Sequence, residues 1–111
     1  MKSAHVVADR FARALVQGDF DKAHTLLTHS AKQALSASRM RKQYRKMTDY
    51  VGQVTHVEVI QETADWPTKA KDEVAWVYVA LSGDGFSEAV NVLIAREDGH
   101  ELIRSVEWGR P

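Results

Sequence analysis

Cysteine, long apolar runs and an excess of either charge are all missing from this chain of 111 residues. Without cysteine it can form neither disulfides nor thiolate-bound metal sites. No stretch approaches the roughly 20 apolar residues of a membrane-spanning helix, and the start of the chain lacks the apolar run of a signal peptide. We therefore expect a cytoplasmic protein without membrane contact; an exported domain already cleaved from its leader would have the same sequence.

The balance of charge hides a difference between the two halves of the chain. Residues 1–52 carry ten Lys or Arg and four Asp or Glu, and residues 53–111 carry five and eleven, so their net charges are +6 and −6. If the halves form separate layers, these layers attract each other weakly through water. The alternative is that a basic face meets an acidic partner.

The first half has the spacing of amphipathic helices. Val7, Phe11 and Leu15 recur four residues apart and predict one buried stripe. Gly18 can take the left-handed conformation that ends a helix, and Asp19 can cap the next one. The three predicted helices cover about residues 3–17, 20–29 and 39–51.

The third predicted helix has an apolar and a basic side. Met40, Tyr44 and Met47 follow helical spacing, and Ser30 can cap a short helical turn that precedes this helix. The cations on the other side could bind phosphate, but no glycine-rich loop accompanies them, so a solvated surface is the favoured interpretation and nucleic acid is not an expected partner. This predicted basic face consists of Arg39, Arg41, Lys42, Arg45 and Lys46.

The second half changes to a period of about two residues, which is typical of strands. Turns are predicted at Gly83-Asp84 and Asp98-Gly99, the latter of type I′. A length of 111 residues fits one domain, residues 1–111, with a single core. We therefore predict an α+β domain in which three N-terminal helices pack on a curved four-stranded antiparallel meander, with strands at about residues 53–63, 73–81, 86–96 and 101–108.

These turns imply a register and two apolar sheet faces. In this register Trp76 opposes Asn91, which opposes Val106, and Tyr78 opposes Ala89, which opposes Trp108. Three helices can hardly cover both faces, so a second copy of the chain is expected on the other one, giving a homodimer through the sheet. The face predicted to carry the aromatics consists of Trp76, Tyr78, Asn91, Leu93, Arg104, Val106 and Trp108.

The run FARALVQGDFDKAHTLL, a third helix that ends in Gly52, and the closing segment REDGHELIRSVEW resemble the nuclear transport factor 2-like superfamily. The resemblance covers essentially the whole chain and rests chiefly on the Gly18-Asp19-Phe20 elbow. It implies a cone in which a curved antiparallel sheet wraps a long helix. The chain lacks room for the small hairpin often found between the second and third helices, so it is similar to the compact branch, many of whose members have no assigned activity.

Enzymes of this superfamily, such as ketosteroid isomerase and polyketide cyclases, place a carboxylate or His in the mouth of the cone. Their catalytic residues do not carry over, because no Asp falls on a predicted inward strand position. The five histidines are dispersed and the serines lack an elbow motif, so we predict no catalytic residue, metal site or cofactor.

The best candidate site is aromatic. In a cone, these side chains would form an apolar wall with a few oriented polar groups, as small-molecule sites require. The alternative is that they fill the core or the dimer interface. The predicted ligand-binding or interface residues are Trp76, Tyr78, Asn91, Arg104, Trp108 and Tyr44.

The sequence leaves three functions open. The first is a non-catalytic dimeric domain that binds a partner protein or a small apolar ligand. The second is a small enzyme of ketosteroid isomerase or polyketide cyclase type, which moves a proton on a hydrophobic substrate. The third and weakest is polyanion binding through the basic third helix.

Overall fold

The computed structural model describes residues 3–109, which form four helices followed by a four-stranded antiparallel sheet. The strands pair in chain order, so the predicted α+β order with a meander is confirmed. None of the helices within the described residues is long and apolar enough to span a membrane. The elements are α1 (Ser3–Val16), α2 (Phe20–Thr25), α3 (His29–Ala34), α4 (Ala37–Thr48), β1 (His56–Thr63), β2 (Glu73–Gly83), β3 (Phe86–Glu97) and β4 (His100–Trp108).

The long helix α1 lies on the sheet and fills the core. Its buried side is rich in alanine, so the backbone comes close to the strands, while Phe11 and Leu15 are fully buried. Full burial of such a side chain contributes about 1.5–3 kcal/mol. The predicted elbow is present: Gly18 has a φ of 77°, and the Asp19 carboxylate accepts a hydrogen bond from the backbone N–H of Lys22 at 3.1 Å. The elbow therefore places α2 directly beside α1.

The second predicted helix was too long, because it ends where the chain begins to pair with the sheet. The backbone N–H of Thr28 donates to Ile103, and the N–H of Ile103 donates to Leu26, both at 2.8 Å. These bonds run along the free edge of β4 and hold Leu27 in a parallel bridge with Ile103. They also tie the helical layer to the sheet.

The segment that follows is a complete helix, α3, and not only a turn. Its cap is Thr28, whose hydroxyl accepts a hydrogen bond from the N–H of Ala31 at 3.3 Å, so the prediction of Ser30 as the cap was wrong. Ser36 caps α4 in the same way, accepting from the N–H of Arg39 at 3.1 Å. As a result α4 begins two residues earlier than predicted.

The first predicted hairpin turn is displaced by one residue. Gly83 pairs with Phe86, so Asp84 and Gly85 form the tip, Trp76 faces Leu93, and Tyr78 faces Asn91. The register therefore differs by two residues from the prediction, and the same side chains stay on each face of β2 and β3. At the second hairpin, Asp98 and Gly99 both have positive φ, as a type I′ turn requires.

A β-bulge in β4 changes the predicted faces. Leu93 pairs with Ser105 and Ile94 pairs with Ile103, so Arg104 is an extra residue without a partner on β3. Beyond it, Val106 pairs with Val92 and Trp108 with Val90, on the helix side of the sheet. The prediction that Val106 and Trp108 share a face with Trp76 and Tyr78 was therefore wrong.

Gly83 sits where no side chain fits. A Cβ there would clash with the backbone oxygen of Gln53 and lie 2.6 Å from the ring of Phe86. We predict that Gly83→Ala lowers the free energy of unfolding by about 2 kcal/mol or more, because the core would be overpacked. The control is Gly85→Ala, where φ is 77° but nothing lies within 4 Å, with an expected cost of about 1 kcal/mol. Urea denaturation of both variants checks this; an equal or smaller loss for Gly83→Ala would contradict it.

Candidate functional site

The sheet divides the predicted aromatic site into two groups. Tyr44 and Trp108 lie between the helices and the sheet, whereas Trp76, Tyr78 and Asn91 lie on the outer face. These groups therefore cannot contact one molecule from the same side. The predicted site therefore becomes two separate surfaces, one on the helix side of the sheet and one on its outer face.

On the helix side, three aromatic rings form a chain from α2 to the end of β4. The ring centroids of Phe20 and Tyr44 are 5.9 Å apart, and those of Tyr44 and Trp108 are 6.4 Å apart in an edge-to-face arrangement. Tyr44 is only 8% exposed, and this burial raises the pKa of its phenol. The rings thus form a fixed apolar wall behind the end of β4.

A groove in front of this wall follows the boundary between α4 and β4. It has two compartments that share Gln43. We call the first, of about 280 Å³, the Arg39 compartment; it is lined by Leu27, Ala31, Ala34, Leu35, Arg39, Gln43, Arg104, Ser105 and Val106. We call the second, of about 370 Å³, the Lys46 compartment; it is lined by Gln43, Lys46, Met47, Trp108 and Gly109.

One hydrogen bond separates the compartments. The indole N–H of Trp108 donates to the side-chain oxygen of Gln43 at 2.6 Å. Both side chains are half-buried, and the bond joins α4 to β4 directly. An indole N–H can only donate, so this contact fixes which end of the Gln43 amide faces the sheet.

The cations beside the groove differ in how far they are neutralised. Arg104 donates from Nη1 to Asp72 at 3.0 Å and to Glu73 at 3.4 Å, and its Nη2 also contacts Asp72. Arg39 donates to the backbone oxygen of Ala34 at 3.3 Å. Within residues 3–109, no carboxylate lies within ion-pair distance of Lys46.

Arg104 holds the β-bulge across the sheet. The sheet order places β3 between β4, which carries Arg104, and the start of β2, which carries its acidic partners. Hydrogen bonding to Arg104 is the main reason why the pKa of the Asp72 carboxyl lies below its ordinary value. The guanidinium is therefore a structural clamp more than a free ligand-binding group.

The predicted basic face on α4 consists of exposed side chains that do not act as one unit. Arg39 and Lys46 line the groove, while Arg41 lines a different hollow with residues 18–21, next to Asp19 and Asp21. Lys42 and Arg45 line neither compartment of the groove. Only the two groove residues can contribute to this site.

The described lining of the groove contains no Asp, Glu or His. A larger hollow of about 710 Å³ lies between α1 and the β3–β4 hairpin and does contain a carboxylate. There, one oxygen of Glu101 lies 3.3 Å from Arg96, and the other is buried without a hydrogen bond from the part of the chain described. No group of three His, Asp or Glu able to hold a metal occurs among residues 3–109.

Sequence reasoning missed Gln43. It interrupts the apolar stripe of α4, three residues after Met40 and four before Met47. A polar residue at such a position faces the core or a cavity and needs a hydrogen-bond partner, which is the signal that could have identified it. Its partner could not be identified, because the predicted face of Trp108 was wrong.

No family model, curated protein or solved structure matches the chain. The groove offers a ligand an apolar floor, the indole of Trp108, the amide of Gln43 and the ammonium of Lys46.

The Gln43–Trp108 bond should contribute measurably to stability. We predict a coupling free energy of about 1 kcal/mol in a double-mutant cycle of Gln43→Leu and Trp108→Phe, the usual net value of a partly buried hydrogen bond. Urea denaturation of the four proteins measures it. As a control, Gln43→Leu combined with Tyr50→Phe should be additive, because Tyr50 is 89% exposed. Coupling near zero between Gln43 and Trp108 would show that the bond does not persist in solution.

Proposed function

We propose that this chain is a non-catalytic, nuclear transport factor 2-like domain that binds a small apolar ligand in the groove between α4 and β4 and forms a dimer through its outer sheet face. The observation that carries the proposal is the groove lining. It combines apolar walls with a few placed polar groups, and the Lys46 compartment, of about 370 Å³, reaches the lower end of the range of small-molecule sites, roughly 300–1,000 Å³.

The family assignment is supported by the order of elements. Helices precede a four-stranded meander, the elbow at Gly18 and Asp19 turns α1 into α2, and α1 packs against the sheet. A fold of this kind hosts many functions, so the proposal about function depends on the groove itself.

A binding role is favoured over catalysis because the described groove lining has no Asp, Glu or His, the side chains that most often act as general acid or base, and its Lys46 is exposed. One observation favours the enzyme alternative. Glu101 has a buried carboxylate oxygen without a hydrogen-bond donor among the described residues and lines the hollow beside α1, where an apolar substrate could meet a base. The other ionisable side chains in the described lining of that hollow are Arg10, Arg96 and His100.

The dimer proposal is supported by the composition of the outer face. Its centre consists of one polar residue, Asn91, surrounded by Trp76, Tyr78, Ala80, Ala89 and Leu93. Serines 82 and 87 and Glu107 lie toward its rim, which matches the apolar centre and polar rim of interfaces.

The area of the face is also close to that of one side of a standard interface. Four strands of 8 to 12 residues cover on the order of 600 Å², at about 3.3 Å per residue and 4.8 Å per strand, compared with about 800 Å² per partner in a standard interface. Its guanidinium, Arg104, is neutralised by Asp72 and Glu73. A second copy would therefore meet no uncompensated cation at this position.

We predict that 1-octanol, an uncharged apolar probe, binds in the groove. Saturable shifts are expected for the backbone amide resonances of Gln43, Met47 and Gly109 in a heteronuclear NMR titration. Met47→Asp should abolish them, because a carboxylate in the wall disfavours an apolar ligand. Tyr50→Asp, at an exposed position just beyond α4, should leave them unchanged. Shifts confined to α1 and the β3–β4 hairpin, or no shifts, would refute the proposed site.

We predict that the protein sediments as a dimer, at twice 12.5 kDa, and that Tyr78→Lys makes it monomeric, since a charge would be buried at the centre of the interface. Ile60→Lys is the matched control, because Ile60 is 54% exposed on the open edge strand β1 and not at the centre of the outer face. Analytical ultracentrifugation and circular dichroism measure assembly and folding. A monomeric wild type, or dissociation by Ile60→Lys alone, would contradict pairing through the face.

A further inference from the structure

The free ends of the polar side chains in the Lys46 compartment are hydrogen-bond donors. The oxygen of Gln43 is turned toward β4, where one of its two lone pairs accepts the indole N–H of Trp108. The two N–H bonds on the Gln43 nitrogen are therefore left over, and no group within residues 3–109 accepts them. Trp108 thus orients the Gln43 amide, so that its oxygen is held against β4 and its nitrogen is the end left for a ligand.

Lys46 is the second donor and the only lining cation of this compartment among the described residues. It follows Gln43 by three residues on α4, so both side chains project from neighbouring positions on the same side of the helix. The ammonium has no carboxylate partner in the described part of the chain. It is exposed and can reorient toward a bound group without breaking an ion pair.

The rest of the compartment is apolar. Met47 belongs to the apolar stripe of α4, and the ring of Trp108 is fixed from behind by Tyr44. A ligand that fills this space therefore meets an apolar wall on one side and two donors at its edge. That arrangement is complementary to an apolar molecule with a single anionic end.

We propose that the groove is selective for apolar acids, with the hydrocarbon part against Trp108 and Met47 and the carboxylate held by Lys46 and the nitrogen of Gln43. This inference rests on the proposed function, because it names the ligand class of the same groove. Charge-assisted hydrogen bonds are stronger than neutral ones, so an acid should bind about tenfold tighter than the matching alcohol. The preference should shrink as salt is added, because Lys46 is exposed.

Three probes with the same chain length test the inference: octanoate, 1-octanol and octyltrimethylammonium, each titrated at neutral pH with the groove amides as the NMR readout. In the wild type, octanoate should bind about tenfold tighter than 1-octanol, and octyltrimethylammonium should bind weakest. Lys46→Gln should remove most of this preference. Lys42→Gln deletes an equal charge on the same helix outside the groove, and it should have little effect.

Gln43→Glu is the sharpest variant, because it is almost isosteric. It keeps an oxygen for the Trp108 indole and replaces the donor nitrogen with an anionic oxygen. We expect octanoate binding to fall below that of 1-octanol and octyltrimethylammonium binding to rise. Tryptophan fluorescence and thermal unfolding report whether the variant keeps its fold.

The outcomes separate the inference from the proposed function. Equal affinities for octanoate and 1-octanol, or equal losses in Lys46→Gln and Lys42→Gln, would overturn the inference while leaving a neutral apolar site intact. If none of the three probes shifts the groove resonances, the proposed function fails and the inference fails with it. A preference for octanoate that is lost in Lys46→Gln and reversed in Gln43→Glu supports both.

Discussion

Trp108 faces the helices because β4 contains one residue more than the part of β3 with which it pairs. Arg104 is that residue, and the alternation of side chains changes sides there. Without the bulge, Val106 and Trp108 would lie on the outer face beside Trp76 and Tyr78. The aromatic wall behind the groove and the hydrogen bond to Gln43 would then not exist, so both compartments depend on this one irregularity.

Two sets of contacts hold the bulge from opposite sides. Toward β2, the guanidinium of Arg104 pairs with Asp72 and Glu73. Toward the helices, Ile103 exchanges backbone hydrogen bonds with Leu26 and Thr28. The extra residue is thus fixed immediately before β4 delivers Trp108 to α4. The same contacts close the edge of β4, while the edge of β1 carries its own bulge at Ile60.

Local features of this chain could be predicted, because they depend on residues close in sequence. The elbow at Gly18 and Asp19 and the type I′ turn at Asp98-Gly99 have the backbone conformations that these residue types favour. The tip of the first hairpin could not be predicted in this way, since Ser82-Gly83-Asp84-Gly85 allows two tips. In the observed hairpin the backbone oxygen of Gln53, thirty residues away, leaves no room for a Cβ at Gly83, and local turn chemistry does not reveal this contact.

The sequence contains only a weak signal for the side of the sheet on which Trp108 lies. Ile103 and Val106 are three residues apart, where a regular strand places side chains of one face two or four apart. From Arg104 onward the side chains again alternate regularly between the two faces. The sequence pattern therefore does not reveal that the faces have been exchanged at the bulge. Recognising Gln43, the other half of the site, requires knowing on which side of the sheet Trp108 lies. Because the predicted side was wrong, the prediction placed the two partners of this hydrogen bond on opposite sides of the sheet.

The position of the Trp108 indole tests this description most directly. In a nuclear Overhauser spectrum, its ring protons should show contacts with the ring of Tyr44, whose centroid lies 6.4 Å away, and with Met47, which lines the same compartment. Contacts from the indole to Tyr78 and Leu93, without any to Tyr44, would place Trp108 on the outer face. That result would contradict the bulge at Arg104 and the groove that depends on it.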